Sequence, residues 1–176
     1  MRYLILLLSV FSSIQAFPFS IRAAQEGEIG VVFNLICELA EFEGKDVASL
    51  AVTKEHLQEF GFGKNSYFSV ELAEIEGKIV GYALYFFGFS GWQGYPILYV
   101  DDLYVSAGYR EAGIGTALLK KLAAYGQQHN CCRLEWHVFD WNDSAISFYQ
   151  KIGGHLRKDL LLVRLERDAL NQLAQN

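Results

Sequence analysis

The chain has 176 residues, of which 52% are hydrophobic and 20% charged, and its formal net charge is −5. This length and composition are typical of one globular domain with a substantial core, and they exclude intrinsic disorder. No run of lysine and arginine is present, so the sequence predicts no nucleic-acid partner, because phosphate binding needs clustered positive charge.

Residues 1–17 form an apolar segment ahead of a predicted domain over residues 18–176. One early arginine, an apolar run over residues 4–11 and a polar stretch ending at Ala16 are typical of a short signal peptide. The run is too short to span a bilayer as a helix, so we expect no stable membrane span. Two other interpretations stay open: a segment packed on the domain, or sequence upstream of the true start. We expect a cytoplasmic protein, or an exported one if the segment is a functional signal peptide.

The next elements are predicted to be a strand, a long helix and a short helix. Polar and apolar residues alternate over residues 19–23, and an apolar face with helical spacing covers residues 26–42. Thr53 has the position of an N-cap for the short helix, which we expect to end at Gly61.

Three strands and a helix are predicted in the middle of the chain. Two of the strands are joined across Glu76-Gly77, which is a strong hairpin signal. A loop marked by glycine and proline follows over residues 90–96 and contains an exposed Trp92. The third strand covers residues 97–105 and leads through a glycine-containing stretch into a helix that ends near residue 129.

A strand, a helix, a last strand and a short closing helix are predicted in the C-terminal part. The first strand is CRLEWHVF, and Asn142 or Asp143 caps the following helix, which ends at Gly153 and Gly154. The last strand is DLLLVRL, residues 159–165. The order β-α-α-β-β-β-α-β-α-β predicts a mixed α/β domain rather than a doubly wound one.

The stretch R-E-A-G-I-G, residues 110–115, lies where a strand turns into a helix. Gly113 and Gly115 leave the backbone N–H groups uncovered, and these groups together with the helix dipole favour an anion. The stretch is neither a Walker motif nor the three-glycine dinucleotide fingerprint. Taken alone, two glycines at a helix start are more often simple turn chemistry.

R-x-x-G-x-G after a strand, followed by WNDSAISFYQKIGG, resembles the GNAT superfamily of N-acetyltransferases. ELAEFEG, HLQEFGFG, LYVDDLYVSAGYR and DWNDSAISFY together resemble its diamine acetyltransferase subfamily, which includes spermidine/spermine and thialysine acetyltransferases. The resemblance covers about residues 19–174. It implies a mostly antiparallel central sheet flanked by helices, acetyl-CoA as cosubstrate, no metal, and a homodimer.

The resemblance also implies a set of residues that contact acetyl-CoA. Arg110 and the backbone of residues 112–116 would hold the pyrophosphate, and Asn142 would hold the pantetheine arm. A backbone N–H among residues 103–105 would polarise the thioester carbonyl, and Tyr149 would protonate the leaving thiolate. The full set is Leu103, Tyr104, Val105, Arg110, Glu111, Ala112, Gly113, Ile114, Gly115, Thr116, Asn142 and Tyr149. Glu111 and Ala112 stand where the family often has Gly and a larger side chain, and Glu111 adds a negative charge near the phosphates.

The acidic pair Asp101-Asp102 is the candidate base of the reaction. An amine is almost wholly protonated at neutral pH and attacks a thioester only when neutral, so a carboxylate must take its proton directly or through water. The subfamily usually has Glu at the first position, where this chain has Asp101. Because neighbouring strand residues face opposite ways, one acid is expected to be the base and the other structural or substrate-binding.

Ser90 and Trp92 are the other candidate substrate-binding residues. Polyamine-acetylating members usually carry Asp two residues before the loop Trp, and this chain has Ser90 there, as in the thialysine type. We therefore expect a small primary amine or a lysine-like amino acid as acceptor. The alternatives are spermidine or spermine, a protein amine, or a module that binds CoA without turnover.

Overall fold

The computed structural model describes residues 18–175, so the predicted signal segment at residues 1–17 lies outside the described residues. The chain divides into two compact units, one up to Trp136 and one from His137. The described part of the first unit contains eight strands and α-helices: β1 Ser20–Ala23, α1 Ile29–Phe42, α2 Lys54–Phe62, β2 Ser69–Ile75, β3 Lys78–Ser90, β4 Tyr95–Val105, α3 Ile114–Gln128 and β5 Leu134–Glu135. The second contains α4 Asp143–Lys151 and α5 Arg167–Gln175.

The five strands form one sheet in the order β1-β2-β3-β4-β5. The first four strands are antiparallel to their neighbours, and β5 runs parallel to β4. The predicted hairpin between β2 and β3 is confirmed, with positive φ angles of 49° at Glu76 and 81° at Gly77. Positive φ at both central residues is what a two-residue type I′ turn requires. The predicted mixed α/β fold with a mostly antiparallel sheet is therefore confirmed.

Helices cover both faces of this sheet in the first unit. Along β3, Tyr82 and Leu84 join a cluster with α1 and α2, whereas Ala83 and Tyr85 join a cluster with α3. This alternation follows from the two-residue period of a strand. The sheet is buried on both sides. The candidate active-site residue Asp102 pairs with Leu84, which lies on the side of β3 that packs against α1.

Local caps place the helix ends close to the predicted positions. Thr53 accepts a hydrogen bond from the backbone N–H of His56 at 3.1 Å, as expected of an N-cap. The helix continues through Gly61 and ends at Phe62, so the predicted stop at Gly61 is too early. In the second unit, Asn142 caps α4, and Gly153 just beyond its end has φ +90°.

The predicted last strand over residues 159–165 is wrong. The segment forms no strand, and its apolar side chains are exposed, with Leu161 at 91% and Val163 at 86%. A strand needs a partner for its backbone groups, and the described part of the second unit offers only two helices. The strand predicted over CRLEWHVF is likewise reduced to Leu134–Glu135.

Within residues 18–175, no helix is both long enough and apolar enough to cross a membrane.

Candidate active site

The loop between β4 and α3 opens into the N-terminus of a helix. Gly113 is the N-cap of α3 and has φ +82°, a left-handed conformation that favours glycine. A Cβ at Gly113 would meet nothing within 4 Å, so the conformation rather than crowding requires glycine here. The N–H groups of the first turn, at Ile114, Gly115 and Thr116, have no intrahelical acceptor. Together with the helix dipole, this geometry suits an anionic group.

Arg110 is exposed, and its side chain also contacts the protein at three places. Its Nε donates to the carbonyl of Val105 at 2.9 Å. Its guanidinium lies 4.5 Å from the ring centroid of Phe42 and 5.4 Å from that of Tyr104. These contacts tie the loop to β4 and to the end of α1. The sequence motif pointed to an anion contact and gave no signal for this clamp.

Glu111 adopts a left-handed backbone conformation with φ +63°. For a residue with a Cβ this costs about 1–2 kcal/mol. Glu111 therefore stands in place of the family's usual glycine at a position where glycine would adopt the left-handed conformation without strain.

A bulge in β4 displaces the acidic pair from the regular register. Leu84 of β3 pairs with Asp102 and Tyr85 pairs with Val100, so Asp101 has no partner in β3. The extra residue breaks the strict alternation on which the prediction for this pair rested. Asp101 is exposed, whereas Asp102 is half-buried opposite Leu84, a member of the α1–α2 cluster.

Asp102 has the electrostatic properties of a base. Burial, together with the negative charges of Asp101 and Glu43, raises its pKa to about 6. The hydroxyl of the fully buried Tyr82 donates to its Oδ2 at 2.9 Å and lowers the pKa, as does the charge of Lys45. A carboxyl group with a pKa near 6 is mostly ionised at pH 7 and still takes up a proton readily.

The tip of the β3–β4 hairpin carries the two other candidates. Trp92 is 102% exposed, as predicted from its loop. Ser90 is buried, and its Oγ accepts a hydrogen bond from the backbone N–H of Gln93 at 3.3 Å. The serine hydroxyl therefore stabilises the turn that presents Trp92.

In the second unit, Asn142 lies at the start of α4 and Tyr149 lies near its end. The Oδ1 of Asn142 accepts a hydrogen bond from the N–H of Ala145 at 3.1 Å, so this oxygen caps the helix. Tyr149 is half-buried beside Phe148, and burial raises the pKa of its phenol. The phenol consequently stays protonated at neutral pH, which an acid requires.

Sequence reasoning found the acidic pair, the glycine loop and Tyr149, and it missed three residues that act on Asp102. Tyr82, Glu43 and Lys45 come from β3 and from the end of α1. A tyrosine inside an apolar strand was an available signal, because a buried hydroxyl needs a hydrogen-bond partner. Among residues 18–175, no group of three or more potential metal ligands is found.

Comparison with known proteins identifies the class. The model of the acetyltransferase (GNAT) family matches residues 34–154. The chain therefore belongs to the GNAT acetyltransferase family, and it is an enzyme that acetylates amines.

Two relatives with similar sequences and one similar solved structure illustrate this family. Thialysine N-epsilon-acetyltransferase of Mus musculus is 37% identical over 168 residues, which cover 88% of this chain and 96% of that protein. The Bos taurus protein of the same name is 36% identical with the same coverage. An integron cassette protein from the mobile metagenome of V. cholerae has a solved structure with a TM-score of 0.77 and 28% identity, covering 90% of this chain and 98% of that one.

Proposed function

We propose that this enzyme transfers the acetyl group of acetyl-CoA to the terminal amine of a small lysine-like amino acid, of which thialysine is the model. The observation that carries the proposal is Asp102, a half-buried carboxyl with a pKa of about 6, on the strand that leads into an open helix N-terminus. The relatives named for thialysine Nε-acetylation support the choice of acceptor.

The residues of the β4–α3 loop fit acetyl-CoA. Acetyl-CoA supplies the acetyl group as a reactive thioester and carries a pyrophosphate that needs an anion site. The left-handed Gly113 and the first-turn N–H groups of α3 provide such a site without side-chain obstruction. Arg110 holds the loop in place and adds positive charge beside it.

The two acidic residues have different proposed roles towards the acceptor amine. Asp102 takes the proton from the acceptor ammonium, directly or through one water, because its pKa suits that exchange near pH 7. Asp101, exposed on the bulge, attracts the ammonium and raises the pKa of Asp102. Exposed Trp92 lies at the tip of the β3–β4 hairpin, six residue pairs beyond Asp102, and buried Ser90 shapes its turn.

Backbone groups of β4 and two residues of α4 have further proposed roles. A backbone N–H among Leu103, Tyr104 and Val105 polarises the reacting carbonyl. Tyr149 donates its phenolic proton to the departing thiolate, and its raised pKa keeps the phenol protonated until that step. The amide Nδ2 of Asn142 contacts the pantetheine arm while Oδ1 caps α4. No metal takes part in this scheme. We place the enzyme in the cytoplasm, because acetyl-CoA is readily supplied in that compartment.

We also propose a homodimer. Residues 160–165 leave five large apolar side chains more than half exposed: Leu160, Leu161, Leu162, Val163 and Leu165. A second copy that covers this segment would remove that surface from water. Leu161→Asp should then shift the protein to a monomer in sedimentation analysis, while Tyr67→Asp, at an exposed loop position, should leave the dimer intact. A monomeric wild type would contradict the proposal.

The decisive experiment measures thiol release from acetyl-CoA by the full chain with thialysine, lysine, spermidine and putrescine. We expect the highest kcat/KM with thialysine. A preference for spermidine would make the polyamine assignment correct instead. Confirmed CoA binding without release for any amine would overturn the proposed acceptor class.

A further inference from the structure

The C-terminal end of α1 fixes two opposite charges in neighbouring positions. The N–H of Lys45 donates to the carbonyl of Ala40 at 2.9 Å, and the N–H of Gly44 donates to the carbonyl of Glu41 at 2.9 Å. With Gly44 at φ +75°, these are the paired bonds of a Schellman cap. The backbone that carries Glu43 and Lys45 is therefore set by the helix end.

Glu43 and Lys45 form an ion pair with 2.6 Å between Oε2 and Nζ. The glutamate side chain is 18% exposed and the lysine side chain 52%. The carboxylate thus holds the ammonium from the protein side, while the ammonium keeps a surface towards solvent. A second anion can approach the ammonium from its half-exposed side.

This ion pair lies near Asp102 in the first unit. The end of α1 is tied to the end of β4, because Ser106 Oγ donates to Glu38 Oε2 at 2.7 Å and Arg110 stacks on Phe42. The charges of both Glu43 and Lys45 act on Asp102. The base and the ion pair consequently share one neighbourhood within the first unit.

We propose that Lys45, oriented by Glu43, binds the α-carboxylate of the acceptor and thereby selects amino acids over diamines. This inference rests on the proposed function and adds that the ion pair recognises the α-carboxylate of the acceptor. Asp101, Asp102 and Glu43 attract the ammonium groups of any polyamine, but they repel a carboxylate. Lys45 reverses that repulsion at one point. The Glu43 carboxylate beside it attracts the α-ammonium. The ion pair is therefore complementary to the two opposite charges on the α-carbon of an amino acid.

The test compares two acceptors that differ only in the carboxylate charge: thialysine and thialysine α-carboxamide. Both carry the same reacting amine, and an assay at about pH 6.5 keeps the α-amino group of both protonated. The variants are Lys45→Gln, which removes the charge, and Lys45→Arg, which restores it. Lys64→Gln is the matched control, because Lys64 is exposed in the loop after α2.

Lys45→Gln should lower kcat/KM for thialysine about tenfold and leave the carboxamide within about twofold of wild type, as expected for one half-exposed charged hydrogen bond. Lys45→Arg should recover most of the loss, and Lys64→Gln should change neither acceptor. An equal loss for both acceptors would overturn the proposal, because Lys45 would then act only through Asp102. Wild-type preference for the carboxamide would overturn it while leaving amine acetylation in place. Absence of turnover with any amine would overturn the proposed function together with it.

Discussion

The two units of this chain stabilise their structure by different means. The first unit buries side chains on both faces of its sheet, in one cluster against α1 and α2 and another against α3. In the described part of the second unit, no side chain is fully buried, and its helices depend on local features such as the Asn142 cap and Gly153. Burial in the first unit both stabilises the fold and perturbs Asp102, whereas α4 positions Tyr149 by helix geometry.

Asp102→Asn is expected to have the largest effect and to separate activity from stability in the first unit. Loss of the base should lower kcat/KM about 10³-fold. The folded-state pKa of about 6 is above the usual 3.8, so the folded protein binds more protons between pH 4 and 6, and stability falls as pH rises through that window. The variant should therefore be more stable than wild type at pH 8 by about 1 kcal/mol, and equally stable at pH 4. Thermal unfolding at both pH values checks this; a variant less stable at pH 8 would contradict it.

Leu118→Ala compared with Leu170→Ala tests the contrast in burial directly. Leu118 is fully buried on α3, so its truncation should cost about 2–5 kcal/mol of unfolding free energy. Leu170 on α5 is 54% exposed, and its truncation should cost about 0.5 kcal/mol or less. Urea unfolding measures both variants, and similar costs would remove the distinction between the units.

Tyr149→Phe should lower activity without a matching loss of stability. Removing the phenolic proton donor should reduce kcat about 100-fold with little change in KM for either substrate. The apolar ring remains, so the unfolding free energy should change by no more than about 1 kcal/mol. Phe148→Leu is the neighbouring control and should retain kcat. Wild-type kcat in Tyr149→Phe would mean that another group protonates the thiol.

Tyr82→Phe should shift the pH dependence of the reaction. In wild type, kcat/KM should fall as pH drops through about 6, where Asp102 becomes protonated. Loss of the Tyr82 hydrogen bond raises the pKa of Asp102, while Asp101, Glu43 and Lys45 still act on it. The acidic limb should move to higher pH, which lowers kcat/KM at pH 6 about threefold and leaves the value at pH 9 unchanged. An unmoved limb would exclude Asp102 as the titrating base.

Glu111→Gly should have the smallest effect. It relieves the left-handed backbone and removes a negative charge near the proposed pyrophosphate site. We expect KM for acetyl-CoA to fall about threefold and stability to rise by about 0.5 kcal/mol. Glu111→Gln separates the two causes, because it should reproduce the KM change but not the gain in stability. An unchanged KM in both variants would place Glu111 away from the phosphates.

Most of the fold was predictable because its signals are local. The helical spacing in α3, the Thr53 and Asn142 caps and the Glu76-Gly77 turn depend on residues a few positions apart, and the structure confirms each of them. The strand predicted over residues 159–165 failed for the opposite reason. Its apolar composition favours a strand, but a strand forms only where a partner supplies hydrogen bonds, and that partner is not encoded in the segment itself.

The sequence by itself determined the residue types of the site: the acidic pair, the glycines at the start of a helix and the tyrosine on α4. Tertiary structure alone decided their properties. The bulge that separates Asp101 from Asp102, the hydrogen bond from Tyr82 twenty positions away, and the approach of Glu43 and Lys45 all arise from chain segments that meet only on folding. A pKa depends on burial and on charges in space rather than along the chain, so the base could be named from sequence, whereas its tuning required the fold.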